Sequence, residues 1–281
     1  MTTQTTPGKR DADLSSLGAL DQGGGALRRR PDGAGLKSAA LAVLIFVALL
    51  AGWQLTATSG LVSPLILVPP GEVVRVLFGL IADGSLWPNL AATVQETLLG
   101  FALAVVAAVL IGSVFAFSPI LRNAVYPFIL ASQTFPKVAI APLIVAAMGY
   151  GLAPKVTLAA LLAFFPVLTN TIAGLTEVSD DEVHLFRALR ASRWQELYYL
   201  RIPNSLAFIF PALNSAAVLA LIGAIVGEFV AAREGVGYAI AQYTVTGEVA
   251  ATYAMLIALS VFGLLIYGVL SLAERLVRRA R

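Results

Sequence analysis

TLLGFALAVVAAVLIGSVFAFSPIL, residues 97–121, runs for 25 positions without an acid, a base or a histidine. A helix needs about 20 apolar residues to cross the hydrocarbon core of a bilayer, so this stretch reads as a transmembrane segment. Similar uncharged stretches occupy Asn123–Pro136, continued after Lys137 to Pro154, then Val156–Thr176, Ile202–Gly227 and Val249–Ala273. An earlier uncharged region, Ser38–Gly71, contains the apolar segment Ala39–Leu55, and Pro64, Pro69 and Pro70 interrupt the chain beyond it. Six transmembrane helices are therefore expected, and the fold class is all-α integral membrane.

Composition agrees with that reading. Of 281 residues, 58% are hydrophobic and 12% are charged, against about 25% charged in soluble domains. A surface so poor in charge cannot be wetted, and lipid is its natural surrounding. The net charge of +3 does not point to nucleic acid, because the bases sit in short clusters beside apolar runs, where they orient helices. With six spans both termini lie on one side. If that side is the cytoplasm, it holds Lys9, Arg10, Arg28, Arg29, Arg30, Lys37, Arg122, Arg187, Arg190, Arg193, Arg201, Arg275, Arg278, Arg279 and Arg281. Only Arg75, Lys155 and Arg233 fall outside, and Lys137 falls within a helix. Residues 1–36 are polar and glycine-rich and read as a disordered cytoplasmic tail.

The chemistry the chain lacks narrows its role. It has no cysteine and one histidine, His184, so a thiolate site, a disulfide and a metal cluster are all ruled out. No G-x-x-x-x-G-K-[ST] loop is present to cradle nucleotide phosphates. No set of side chains suited to catalysis appears, and an enzyme is not expected. Carboxylates are scarce in the spans: Glu96 and Glu228 lie near expected helix ends, and a carrier would commonly use such groups nearer the midplane. What remains is a conformationally driven pathway powered by another chain, with a stand-alone secondary carrier or channel as the alternative.

The longest inner connection is EVSDDEVHLFRALRASRWQELYYLRIP, residues 177–203. Asp180 or Asp181 can cap a short helix beginning near Glu182, with Leu185, Phe186 and Leu189 on one stripe. A second helix starts at Ser192 and places Trp194, Leu197 and Tyr198 together. The pattern predicts a helical knob, and a helix pair lying on the headgroups is the plainer reading.

RALRASRWQELYYLRIP at 187–203, followed by ALIGAIVGEFVAAREGVGYAI at 220–240, resembles the EAA loop and following helix of permease subunits of bacterial binding-protein-dependent ABC importers. LVPPGEVV at 67–74, NLAATVQETLLGFALAVVAAVLIG at 89–112, SQTFPKVAIAPLIVAAMGYG at 132–151 and LAFFPVLTNTIAGL at 162–175 strengthen the likeness. It is greatest to the branch serving nitrate, aliphatic sulfonates, taurine, pyrimidine thiamin precursors and riboflavin, with the last two favoured. The resemblance implies a type I importer permease fold over 37–281 and no cofactor, since ATP is bound by a partner. It implies three partners: an ABC ATPase, a periplasmic or lipid-anchored solute-binding protein, and a second permease copy, so a homodimer. The expected location is the bacterial inner membrane.

The same resemblance assigns residues. His184, Phe186, Arg187, Arg190, Ser192, Trp194 and Pro203 would couple to the ATPase. Counting back from Leu200-Arg201-Ile202-Pro203 puts Arg190 where the family has a glycine that turns left-handed, so Arg190 must strain that turn or reshape it. Gln133, Pro136, Lys137, Asn170 and Asn214 are the candidate translocation path. Pro136 kinks the chain, and Lys137 either attracts solute or pairs structurally with Glu228. Glu228, Arg233, Gly235 and Gly237 are the expected outer gate and binding-protein contact, the glycines supplying a tight turn; the plainer alternative is an interfacial loop.

Overall fold

The computed structural model describes residues 33–279, with side chains from Lys37. The expected tail lies outside these residues apart from its last four, which already belong to the first helix. That helix, α1 (Gly33–Thr58), is apolar on every side and exposes Leu44, Phe46 and Leu49, as a lipid-facing span does. From Trp53 onward the chain forms one compact unit. It comprises α2 (Pro70–Ala82), α3 (Leu86–Phe117), α4 (Pro119–Thr134), a 3₁₀ turn (Lys137–Ile140), α5 (Ala141–Met148) and α6 (Leu152–Thr176). Then come α7 (Asp180–Ala188), α8 (Arg193–Glu196), a π-helical turn (Leu197–Arg201), α9 (Ile202–Ala231), α10 (Val236–Thr246) and α11 (Val249–Arg279).

Among the described residues five helices are long and apolar enough to cross a membrane, and α4 with Lys137–Met148 forms a further pair bent by 82°. Helix packing shows that this pair is a span. Glu96 meets Lys155, Gly100 meets Ala159 and Gly112 meets Thr171 at one constant sequence separation, so α3 and α6 run parallel. Parallel neighbours need a return crossing between them, and only α4 and α5 can provide it. Six crossings result. The break has a sequence cause, because Phe135 is extended before Pro136.

α6 is the centre of the unit, packed between α3 and an antiparallel α9. Gly100 of α3 and Gly223 of α9 both close on Ala159, and a Cβ added at Gly223 would lie 2.6 Å from the Ala159 Cα. Lipid tails offer no hydrophobic drive for helix association, so such close backbone approach supplies the contact instead. Leu158, Ala159, Ala163 and Val167 are fully buried there. Two shorter helices, α2 and α10, were not expected. They pack with α11 and the start of α3 around Leu86, Val73, Val236, Ala254 and Met255, at the end of the bundle that also holds Leu152 and Ala231. We call this the outer end, and the end with Phe117, Thr176 and Arg201 the inner end.

Candidate functional site

α3 carries Asn89, Thr93 and Glu96 at helical positions i, i+4 and i+7, which lie on one face. At the outer end that face meets the turn between α9 and α10. Asn89 Oδ1 accepts the Gly235 N–H at 3.0 Å, and Thr93 Oγ1 accepts that of Val236 at 2.8 Å. Glu228 of α9 completes the cap: its Oε2 accepts the Gly237 N–H at 2.5 Å and its Oε1 the Thr93 hydroxyl at 2.6 Å. A carboxylate at the first N–H groups of α10 is favoured by the helix dipole and by the unpaired donors there.

Glu228 is not the only buried acid. Glu96 forms an ion pair with Lys155 of α6, and both carboxylates lie within electrostatic reach of the Lys155 ammonium and of each other. Lys155 is 4% exposed, and Glu96 and Glu228 are 1% exposed. One cation thus serves two acids in a buried site, where pairing must offset desolvation. A cavity of about 580 Å³ opens beside the pair, lined by Glu96, Lys155, Tyr150, Leu152, Arg233 and Glu234. Between α2 and α3, Asp83 accepts the Ser85 hydroxyl and N–H, which hold its carboxyl below the usual range.

Three of the expected outer-gate residues, Glu228, Gly235 and Gly237, therefore come together, while Arg233 is exposed on the cavity rim. Gly235 has φ 116°, which other residues rarely adopt, and Gly237 has no space for a Cβ beside Glu228. Lys155 corrects the sequence reading: it sits in the first turn of α6, buried, rather than in an outer loop. Glu96 likewise lies in the third turn of a helix that begins at Leu86, eleven residues before the expected start at Thr97. Asn89, Thr93, Glu96 and Lys155 were missed as site residues.

The candidate path residues do not converge. Lys137 does not pair with Glu228; its Nζ lies 4.7 Å from the centre of the Phe165 ring, a cation–π contact. Pro136 and Gln133 are exposed at the bend. Asn170 Nδ2 donates to Pro166 O of its own helix at 2.9 Å, and Asn214 faces α11 in a small cavity with Gly263, Ile266 and Tyr267.

At the inner end the loop is a built unit. Arg190 has φ 54° and is the one described non-glycine residue with positive φ. Its N–H reaches Arg187 O at 3.0 Å while Ala191 N–H reaches Phe186 O at 3.0 Å, the paired bonds of a Schellman helix end. So the missing glycine keeps the left-handed turn at a strain on the order of 1 kcal/mol. Arg190→Gly is expected to raise stability by about that amount, measured by thermal unfolding of the purified chain; a lower midpoint would mean that the Arg190 side chain holds the turn. Ser192 caps α8, accepting the Gln195 N–H at 3.3 Å while Gln195 Oε1 accepts that of Ser192 at 2.7 Å. The expected caps Asp180 and Asp181 instead lie inside α7, after Ser179. Pro203 stands in the first turn of α9, and the helix continues unbroken from Arg193 to Ala231 through the π turn. His184 is exposed, Phe186 is half-buried and Trp194 is 76% exposed.

The profile of the family described as binding-protein-dependent transport system inner membrane component matches residues 98–280. The chain is 31% identical over 233 residues to the formylaminopyrimidine transport permease protein ThiX of Halalkalibacterium halodurans, covering 83% of this chain and 92% of that protein. It is 35% identical over 231 residues to the riboflavin transport system permease protein RibX of Chloroflexus aurantiacus, covering 82% and 86%. Against the taurine transport system permease protein TauC of Escherichia coli it is 30% identical over 244 residues, covering 85% and 86%. The inward-facing MetNI methionine ABC transporter matches in fold with TM-score 0.59 at 17% identity, over 67% of this chain and 94% of that one. Six crossings, the inner helical loop and these matches together place the chain in the family of binding-protein-dependent transport system inner membrane components, as a multi-pass permease of the ABC importer type.

Proposed function

We propose that two copies of this chain form the translocation path of an importer, driven by separate ATPase subunits and supplied by a solute-binding protein outside the membrane. The inner end and both termini face the cytoplasm. The observation that carries this reading is the unbroken helix from Arg193 to Ala231. It begins in the inner loop and delivers Glu228 to the outer cap, so motion at one end is carried along one continuous helix to the other. ATP-driven motion thereby moves the outer turn held by Glu228, Gly235 and Gly237, and the outer end opens and closes. The solute is a pyrimidine thiamin precursor or a riboflavin-like molecule, a choice supported by the names of two relatives, with taurine, sulfonates and nitrate, the rest of the branch that the sequence resembles, as the wider class. Lys137, at the bend and only half-buried, is the residue of the path set best placed to meet it.

The surface offered to the ATPase is the exposed apolar side of the loop. Leu185, Leu189, Trp194 and Tyr198 are each more than half exposed, whereas Phe186 is half-buried and Arg187 lines a cavity against the bundle. A buried anchor in such an interface contributes about 2 kcal/mol or more, or roughly thirtyfold in affinity. Leu189→Ala with Trp194→Ala is expected to detach the ATPase while the chain stays inserted, measured by co-purification from membranes. Undiminished ATPase together with full uptake of labelled solute would remove the loop as the coupling element. Uptake by the purified chain without any ATPase would favour a stand-alone carrier built on Glu96, Lys155 and Glu228.

A further inference from the structure

A second charged site lies at the inner end. Arg122 in the first turn of α4, Arg187 of α7, Arg193 of α8 and Arg201 of the π turn line one cavity of about 470 Å³. Its other walls include Phe117 and Pro119 at the α3–α4 corner, and Glu196. Arg201 is already satisfied: its Nε and Nη2 donate to Glu196 Oε1 at 2.9 and 2.6 Å, and its Nη1 donates to Leu175 O at 2.7 Å. Among the described residues no carboxylate lies within 4.0 Å of Arg122, Arg187 or Arg193. Arg122, Arg187 and Arg193 thus line one cavity with no carboxylate paired to any of them, and Glu196, the acid in its wall, is held by Arg201. Like charges gathered in this way repel unless an anion joins them.

We propose that this cavity binds the phosphate of an anionic phospholipid headgroup. Guanidinium groups match phosphate oxygens in geometry as well as charge, and basic pockets between membrane helices take up such headgroups. The choice of a lipid over a free phosphate rests on the walls. The corner between two spanning helices puts Phe117, 57% exposed, and Ile120, 86% exposed, beside the arginines. A headgroup held by Arg122, Arg187 and Arg193 would lay its acyl chains along that apolar edge, where a free phosphate gains nothing. The bound lipid would bridge α4 to α7 and α8, bracing the inner loop against the bundle. The proposal is independent of the importer reading, since it concerns only where the chain meets the membrane.

The test is native mass spectrometry of the full chain purified in detergent and titrated with phosphatidylglycerol, phosphatidylcholine or inorganic phosphate. Wild-type chain should retain phosphatidylglycerol in preference to phosphatidylcholine. Each arginine near an anionic headgroup contributes about fivefold, so Arg122→Gln with Arg193→Gln should weaken retention roughly thirtyfold, and Arg278→Gln at the end of α11 should leave it unchanged. Equal retention of both lipids by the wild-type chain would overturn the proposal without any variant having to fold. Retention unaltered in the double variant would overturn it too, as would arginine-dependent binding of inorganic phosphate without a preference for the anionic lipid.

Discussion

Lys155→Met is expected to cost about 3–5 kcal/mol of stability, the range found when one partner of a buried ion pair is removed. The ammonium pairs with Glu96 and lies within electrostatic reach of Glu228, and all three side chains are almost completely buried. Methionine fills much of the same volume but leaves two buried acids facing each other. The neighbouring substitution separates charge balance from packing. Glu96→Gln leaves Lys155 and Glu228 as a balanced pair, so it should cost far less than Lys155→Met despite removing the closest carboxylate. Adding Glu96→Gln to Lys155→Met removes one of the two uncompensated acids and should recover part of the loss. Thermal unfolding of the purified variants, followed by the fraction eluting as a single folded species, measures the order. Lys155→Met as stable as wild type would show that the ion cluster does not hold α3, α6 and α9 together.

The same cluster marks where sequence reading fails. Long apolar runs are legible because span length is a local property, and all six crossings fall on the expected stretches. Even the break at Pro136 is local, as proline and the extended residue before it lie in sequence. Arg190 is legible only through the family resemblance, which sets it where relatives have a glycine and leaves a strained or a reshaped turn open; its φ of 54° shows the left-handed turn kept. Lys155 was not legible, because a lone lysine after a proline reads as a loop charge, and its partners Glu96 and Glu228 lie far away in the chain. Only the stripe Asn89, Thr93, Glu96 carried a local signal, polar residues on one face of an apolar helix, and the expected helix start at Thr97 cut it off. The helices α2 and α10, of 13 and 11 residues, are too short to register as spans. Lys137 was correctly set at a bend, yet its partner, an aromatic face, leaves no charge pattern to find.

Gly235→Ala is expected to release the outer turn while leaving the spans intact. Two constraints meet at this residue. Its φ of 116° lies where a Cβ is strained, and a Cβ there would run into the Glu228 carboxylate. Alanine must therefore shift the turn or push Glu228 away, and either movement breaks the bonds that Glu228 accepts from Thr93 and Gly237. Hydrogen bonds to a charged group contribute about 1.5–3 kcal/mol each, so losing both exceeds any strain the alanine itself adds. Because Glu228 sits near the end of the helix that starts in the inner loop, freeing it disconnects the outer turn from the motion of that helix. In the reconstituted importer the variant should hydrolyse ATP without solute-binding protein, several-fold faster than wild type, while solute uptake falls by at least tenfold. Gel filtration should show the variant still folded, since α3, α6 and α9 pack through Gly100, Ala159 and Gly223 rather than through the turn. Uptake and basal hydrolysis both at wild-type levels would mean that the α9–α10 turn does not gate the outer end. Thr93→Val gives the matched comparison: it removes the hydroxyl that bonds both Glu228 and the Val236 N–H without straining the backbone, and a smaller shift in the same direction would show that these bonds, and not backbone strain alone, hold the gate.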